Sequence, residues 1–189
     1  MSINQAATAA AQEKLGAFDI KSLPCQTVNS HYITVDILIP KDTKPGKGPI
    51  ILTGASLNLG SFPRSWIMDF ALQHSAIPVS PNCLKLPEST GLKLMDNISH
   101  FWQWFRQGLA SVITSATEGK VEADETKTII IGYSAGKMMQ NHSFNTQIDK
   151  GGHTGGYLAV QPPITEPAGS IKAMIAAYPT LDFKSLFFA

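Results

Sequence analysis

Ser134 stands between two glycines, in the run Gly132-Tyr133-Ser134-Ala135-Gly136. A serine with small residues two before and two after it fits a sharp strand-to-helix turn of the G-x-S-x-G type. The tip of such a turn takes an unusual backbone angle, and small neighbours let strand and helix pass without collision. The serine can then serve as a nucleophile, while N–H groups at the start of the next helix stabilise an oxyanion. The pentapeptide alone is expected by chance in roughly 6% of chains this long. The β-branched run at 128–131 adds the context, because it predicts a buried strand that leads straight into the motif. The bland alternative is a glycine-rich turn after a core strand.

The elements that would carry this turn follow from patterning. Residues 31–39 alternate, with Ile33, Val35, Ile37 and Ile39 on one face and Tyr32, Thr34, Asp36 and Leu38 on the other. That predicts a strand with one buried side, ended by Pro40. Residues 49–52 read as a second strand of the buried, parallel-sheet kind. A loop rich in glycine, serine and asparagine follows over 53–64. Residues 66–74 predict a helix with Trp66, Ile67, Phe70 and Ala71 as its apolar stripe. A short strand is predicted at 76–79. The clearest helix is 92–109, where Leu94, Ile98, Phe101, Trp102, Phe105 and Leu109 recur at helical spacing. Residues 119–125 read as a polar loop before the 128–131 strand, and 171–177 as a last strand. Alternating strands and helices imply a doubly wound, mostly parallel α/β sheet, with ligands beyond the carboxyl ends of its strands. Residues 1–27 read as a leader or peripheral helix, and 28–189 as the main domain.

Composition bounds the function. The chain has 189 residues, a net charge of +1 and no basic patch or stripe, which argues against nucleic acid and anionic membranes as partners. No apolar run reaches membrane-spanning length. Cys25 and Cys83 lie far apart without metal-ligand spacing, so an intracellular, cytoplasmic setting fits better than a disulfide framework. His142 and His153 have no cysteine or carboxylate cluster beside them, so neither a metal nor another cofactor is expected. There is no G-x-G-x-x-G after an early strand and no Walker-type lysine–serine pair, which makes a nucleotide-binding domain a weak reading.

The chain resembles the α/β-hydrolase superfamily, in the branch similar to hormone-sensitive lipase and the carboxylesterases, and most of all fungal hydrolases of secondary-metabolite and toxin gene clusters. The resemblance spans roughly residues 35–182. Besides the serine motif it rests on Leu57-Asn58-Leu59-Gly60-Ser61, Ser75-Ala76-Ile77, Ser80-Pro81, Leu86-Pro87-Glu88-Ser89 and Gly156-Tyr157-Leu158-Ala159-Val160-Gln161. It implies that Ser134 attacks an ester carbonyl of a small-molecule substrate, with a histidine as base and an acid to orient it. It also implies an oxyanion hole made by the N–H of Ala135 and a second donor at Gly54 and Ala55.

Departures from the family pattern accompany these matches. The usual His-Gly-Gly is here Thr53-Gly54-Ala55, and the usual Asp-Tyr-Arg is Asn82-Cys83-Leu84. The resemblance implies that the acid and histidine lie in a part missing after Ser134, so the domain is expected to be truncated. His142, His153, Asp149, Glu166 and Asp182 read as solvated surface residues. Without a base, Ser134 is an ordinary alcohol. Residues 137–155 read as an insertion into the helix after the serine, either a retained intron or a true loop. Two functions stay open: a serine ester hydrolase, or a truncated, non-catalytic hydrolase-like protein that binds a ligand or partner. A sheet cut before its last strands would also leave an apolar edge prone to self-association.

Overall fold

The computed structural model describes residues 13–28, 30–53, 65–82, 91–133 and 166–177. Six strands and two long helices run along them. In chain order they are β1 (Phe18–Val28), β2 (His31–Pro40), β3 (Gly46–Thr53), α1 (Ser65–His74), β4 (Ile77–Pro81), α2 (Gly91–Ala116), β5 (Val121–Tyr133) and β6 (Ile171–Ala177). The strands form one mixed sheet in the order β1-β2-β4-β3-β5-β6. β3 pairs in parallel with β4 and β5, and β5 with β6; β1–β2 and β2–β4 are antiparallel. The doubly wound, mostly parallel α/β architecture is therefore present, with an antiparallel flank.

The two helices cover opposite faces. On one face α2 packs Ile98, Phe101, Phe105, Leu109 and Ile113 onto Val35, Ile37, Ile50, Leu52, Val79 and Ile130. On the other, α1 packs Ile67, Met68 and Ala71 onto Phe18, Leu38, Ile51 and Ile131. Alternate residues of β2 and β3 thus serve different cores, as the period of two requires. This corrects the expectation that β2 buries one side only. Val35 to Pro40 are all buried, because α1 covers the side that carries Asp36 and Leu38.

Three further boundaries differ from the sequence reading. The stretch expected to be a leader or peripheral helix as far as residue 27 contains β1. Its Phe18 pairs with Pro40 and its Val28 with His31, across a two-residue turn. Ser30 in that turn has φ 64°, a left-handed backbone of the kind two-residue hairpin turns use. β1 flanks the sheet and leaves Ile20 and most of its polar residues exposed, so no clean alternation marks it.

α2 continues past 109 to Ala116, because Val112, Ile113 and Ala116 extend its apolar stripe over the sheet. It closes with Glu118 at φ 53° and the Gly119 N–H donating to the Thr114 carbonyl at 2.8 Å, a Schellman-type end.

β5 begins at Val121, inside the stretch expected to be a polar loop. Val121 to Asp124 pair with Gly46 to Pro49, then the register shifts so that Thr128 faces Ile50. In the shifted segment Thr126 Oγ1 donates to Asp124 Oδ1 at 2.6 Å and Lys127 lies 3.0 Å from Asp124 Oδ2. The Thr126 hydrogen bond, with Lys127 next, holds the Asp124 carboxyl below its ordinary value. Glu125 is shifted the other way, by burial.

Candidate active site

β5 ends at Tyr133, one residue before Ser134. Gly132 is buried, and Gly132 and Tyr133 pair with Ala176 and Ala177 of β6. These are the two members of the serine motif that the structure describes. Ser134, Ala135 and Gly136 lie outside the described residues, as do Gly54 and Ala55 and the 137–155 segment.

What is described is the frame that delivers them. β3 and β5 are parallel neighbours, with Leu52 opposite Ile130 and Thr53 opposite Ile131. Adjacent strands lie about 4.8 Å apart. The chain therefore leaves β3 toward Gly54 and β5 toward Ser134 from the same end of the sheet and from adjoining positions. After β3 it crosses by α1 to β4 on one side; after β5 the next described strand, β6, lies on the other side. Crossovers that diverge between two parallel strands open a crevice at their carboxyl ends, where α/β sheets bind ligands.

The described acids and bases can be placed against that end. Glu166 is not the solvated residue expected. Its carboxylate is ion-paired with Arg106 of α2, and its side chain is only 10% exposed. His74 ends α1 beside the start of β4, at the opposite end of the sheet from Tyr133, with its ring 4.3 Å from that of Phe70. His100 Nδ1 lies 2.7 Å from the Asp96 carbonyl, so that nitrogen donates the hydrogen bond. His142, His153, Asp149 and Asp182 lie outside the described residues. Among the described residues no group of three or more His, Cys, Asp and Glu side chains could hold a metal.

A groove of about 490 Å³ opens between the end of β1 and α2, lined by Cys25, Gln26, His100 and Trp104 among others. The Cys25 thiol is pushed up to about 11 by burial, against a weaker effect of its backbone hydrogen bond. It is therefore protonated at neutral pH and not a nucleophile. Gln26 also accepts a hydrogen bond from Asn97 of α2.

The sequence reading passed over three buried polar residues near the crevice. Asp36 is 1% exposed, and Thr53 and Ser80 are fully buried. Asp36 sits on a face that looked solvated by alternation, and the other two sit at strand ends. The one available signal was a carboxylate inside a β-branched strand.

No family model matches the chain. Among curated proteins it is 28% identical over 116 residues to a protein of a Phoma species called "Probable carboxylesterase M8", covering 61% of this chain and 30% of that one. It is 33% identical over 82 residues to "Probable carboxylesterase clz11" of Cochliobolus lunatus, covering 41% and 37%. The chain thus spans about a third of the curated relatives it matches. Among solved structures, the S-formylglutathione hydrolase FrmB of Staphylococcus aureus superposes with a TM-score of 0.51 at 14% identity. That match covers 91% of this chain and 61% of the other, and it shows the fold.

Proposed function

Taking as premise that the chain belongs to the α/β-hydrolase superfamily, in its carboxylesterase branch, we propose that it serves a serine ester hydrolase acting on a small ester or acyl metabolite. The observation that carries this reading is the register of β3 and β5. It sets the chain just before Ser134 beside the chain just before Gly54, at one end of the sheet. A nucleophile and an oxyanion donor have to be neighbours in this way.

In this reading the Ser134 hydroxyl attacks the ester carbonyl. The backbone N–H groups of Ala135 and of Gly54 or Ala55 stabilise the resulting oxyanion. The alcohol leaves, and water then releases the acid from the acyl-serine. Residues present here supply the nucleophile and the donors. The base and its orienting acid belong to a longer protein, as the partial coverage of the relatives supports. Work on a fungal secondary metabolite, in the cytoplasm, is the setting we infer. It is supported by two fungal relatives and by a free Cys25 thiol.

A fluorophosphonate probe tests the reading. Labelling of the folded wild type that Ser134→Ala abolishes supports it. A folded chain that takes up no probe, and does not hydrolyse p-nitrophenyl acetate above the Ser134→Ala background, is instead the non-catalytic binding form.

A further inference from the structure

Three described side chains carry a buried polar atom without a hydrogen-bond partner: Asp36 Oδ2, Thr53 Oγ1 and Ser80 Oγ. They are neighbours. Asp36 and Ser80 are paired across β2 and β4. Thr53 and Ser80 stand one step beyond the Leu52–Val79 pair of β3 and β4. All three alternate with residues of the core under α2, namely Val35, Ile37, Leu52 and Val79, so all three face the α1 side. Ser22 opens the row at its outer end, where its Oγ donates to Asp36 Oδ1 at 2.5 Å. Ile131, opposite Thr53, closes it at its inner end.

A single unpaired buried hydroxyl lowers the folding constant by roughly fivefold to a hundredfold. Three in one row, with Ser80 in the middle, call for partners that neighbours share. The donor set says which. Asp36 Oδ2 only accepts, whereas each hydroxyl can donate. Asp36 and Thr53 stand two strands apart, about 9.6 Å, beyond the span of one water, but Ser80 lies between them. One water can bridge Asp36 Oδ2 and Ser80 Oγ, donating to the carboxylate, and a second can bridge the Ser80 and Thr53 hydroxyls, within the two to four bonds that buried waters commonly make. Exposed Ser22 offers the way in.

We propose that Asp36, Ser80 and Thr53 form a buried hydration site for two waters, one on either side of Ser80, and that Asp36 acts through it as a positioning residue for the carboxyl end of β3. Thr53 directly precedes Gly54, so the row braces the backbone that leads into the second oxyanion donor. This positioning role rests on the hydrolase reading; the hydration site does not.

A double-mutant cycle of Thr53→Val and Ser80→Ala, followed by urea unfolding, tests the site. A shared water makes each single change destabilising, with the double variant about fivefold less so in unfolding constant than the product of the two. Independent orphan hydroxyls give the reverse: each change stabilises and the effects multiply, which overturns the proposal. A crystal structure of the wild type supplies a second decision if a variant does not fold. Density for waters bridging Asp36 to Ser80 and Ser80 to Thr53 supports the site, and direct contacts or a dry gap sink it. A wild-type melting midpoint that depends on sodium or potassium at constant ionic strength identifies a cation instead, and overturns the assignment of water. For the positioning role, fluorophosphonate labelling should slow about tenfold in Thr53→Val and recover in Thr53→Ser, a range typical of displaced oxyanion donors. Unchanged labelling in Thr53→Val overturns that role. If the wild type takes up no probe, the hydrolase reading and the positioning role fall together, while the cycle still decides the hydration site.

Discussion

A Cβ atom on Gly48 would stand 2.4 Å from the carbonyl oxygen of Ser75. Gly48 lies in β3, and Ser75 is the first residue after α1, with φ 51°. The N–H of Ala76 turns back to the Ala71 carbonyl at 2.9 Å to close the helix. β3 therefore runs directly beneath the turn by which the chain returns to the sheet. The obstacle is backbone on both sides and cannot rotate away. Gly48→Ala should cost about 2 kcal/mol or more. At this chain length that lowers the melting midpoint by roughly 4–8 °C. Ser75→Gly should act oppositely and raise stability by about 1 kcal/mol, because glycine takes the left-handed angle freely. Thermal melts of the two variants check both signs. A neutral Gly48→Ala would mean that α1 and β3 can separate at that point.

The ion pair between Glu166 and Arg106 fastens the segment before β6 to α2. The carboxylate is largely covered and the guanidinium half exposed, so screening limits what the pair contributes. Glu166→Gln should destabilise by about 1 kcal/mol at low salt and by less at 1 M salt. It should leave fluorophosphonate labelling of Ser134 unchanged, because this carboxylate is committed to a structural partner. A large fall in labelling rate, with the midpoint preserved, would make Glu166 the missing acid.

Acid and base dependence separate two neighbouring carboxylates. Asp124 is held below its ordinary value by Thr126 and Lys127, so its contribution is present above about pH 4, the usual carboxylate range, and is lost as pH falls through the lowered value. Glu125 is raised by burial. Its contribution is full below about pH 4 and lost as pH rises through the raised value. Asp124→Asn should therefore lower stability at pH 7 and change little at pH 2. Glu125→Gln should raise it at pH 7 and change little at pH 2. Urea midpoints at the two pH values decide it. The same sign for both variants at pH 7 would mean that the 125–127 irregularity is not what sets these carboxyls apart.

Legibility in the sequence followed how local each cause was. The 128–131 run and the glycines around Ser134 are contiguous, so the end of β5 and the motif it delivers could be read directly. The first half of β5 could not. Glu122 and Asp124 alternate with Val121 and Ala123, and a register shift separates them from the β-branched run. β1 flanks the sheet and shows water most of its side chains, so no pattern announces it. Asp36 was misplaced because alternation predicts two faces but not that α1 covers the second. The reason for Gly48 lies in a residue of another element, which no local pattern records. For the site, sequence identified the serine motif and the loop after β3, and the structure added that β3 and β5 end side by side.

β6 pairs with β5 on one side and has no described partner on the other. Its consecutive residues Met174 and Ile175 are 43% and 45% exposed, although neighbours in a strand point to opposite faces. Two large apolar side chains on both faces of a strand whose outer edge has no described partner make a template for another copy of the chain. Self-association should therefore rise with concentration in light scattering coupled to size exclusion. Lysine is the natural guard of such an edge, since it keeps its charge in water and resists strand addition. Lys172 already stands in β6 but leaves the second half of the strand unguarded. Ile175→Lys and Met174→Lys should each weaken association at least tenfold, about 1.4 kcal/mol, since each places a charge inside the paired edge. Neither should move the thermal midpoint by more than a few degrees, because both side chains are already half in water. A wild type that stays monomeric across the same concentrations would show that this edge is covered by chain outside the described residues.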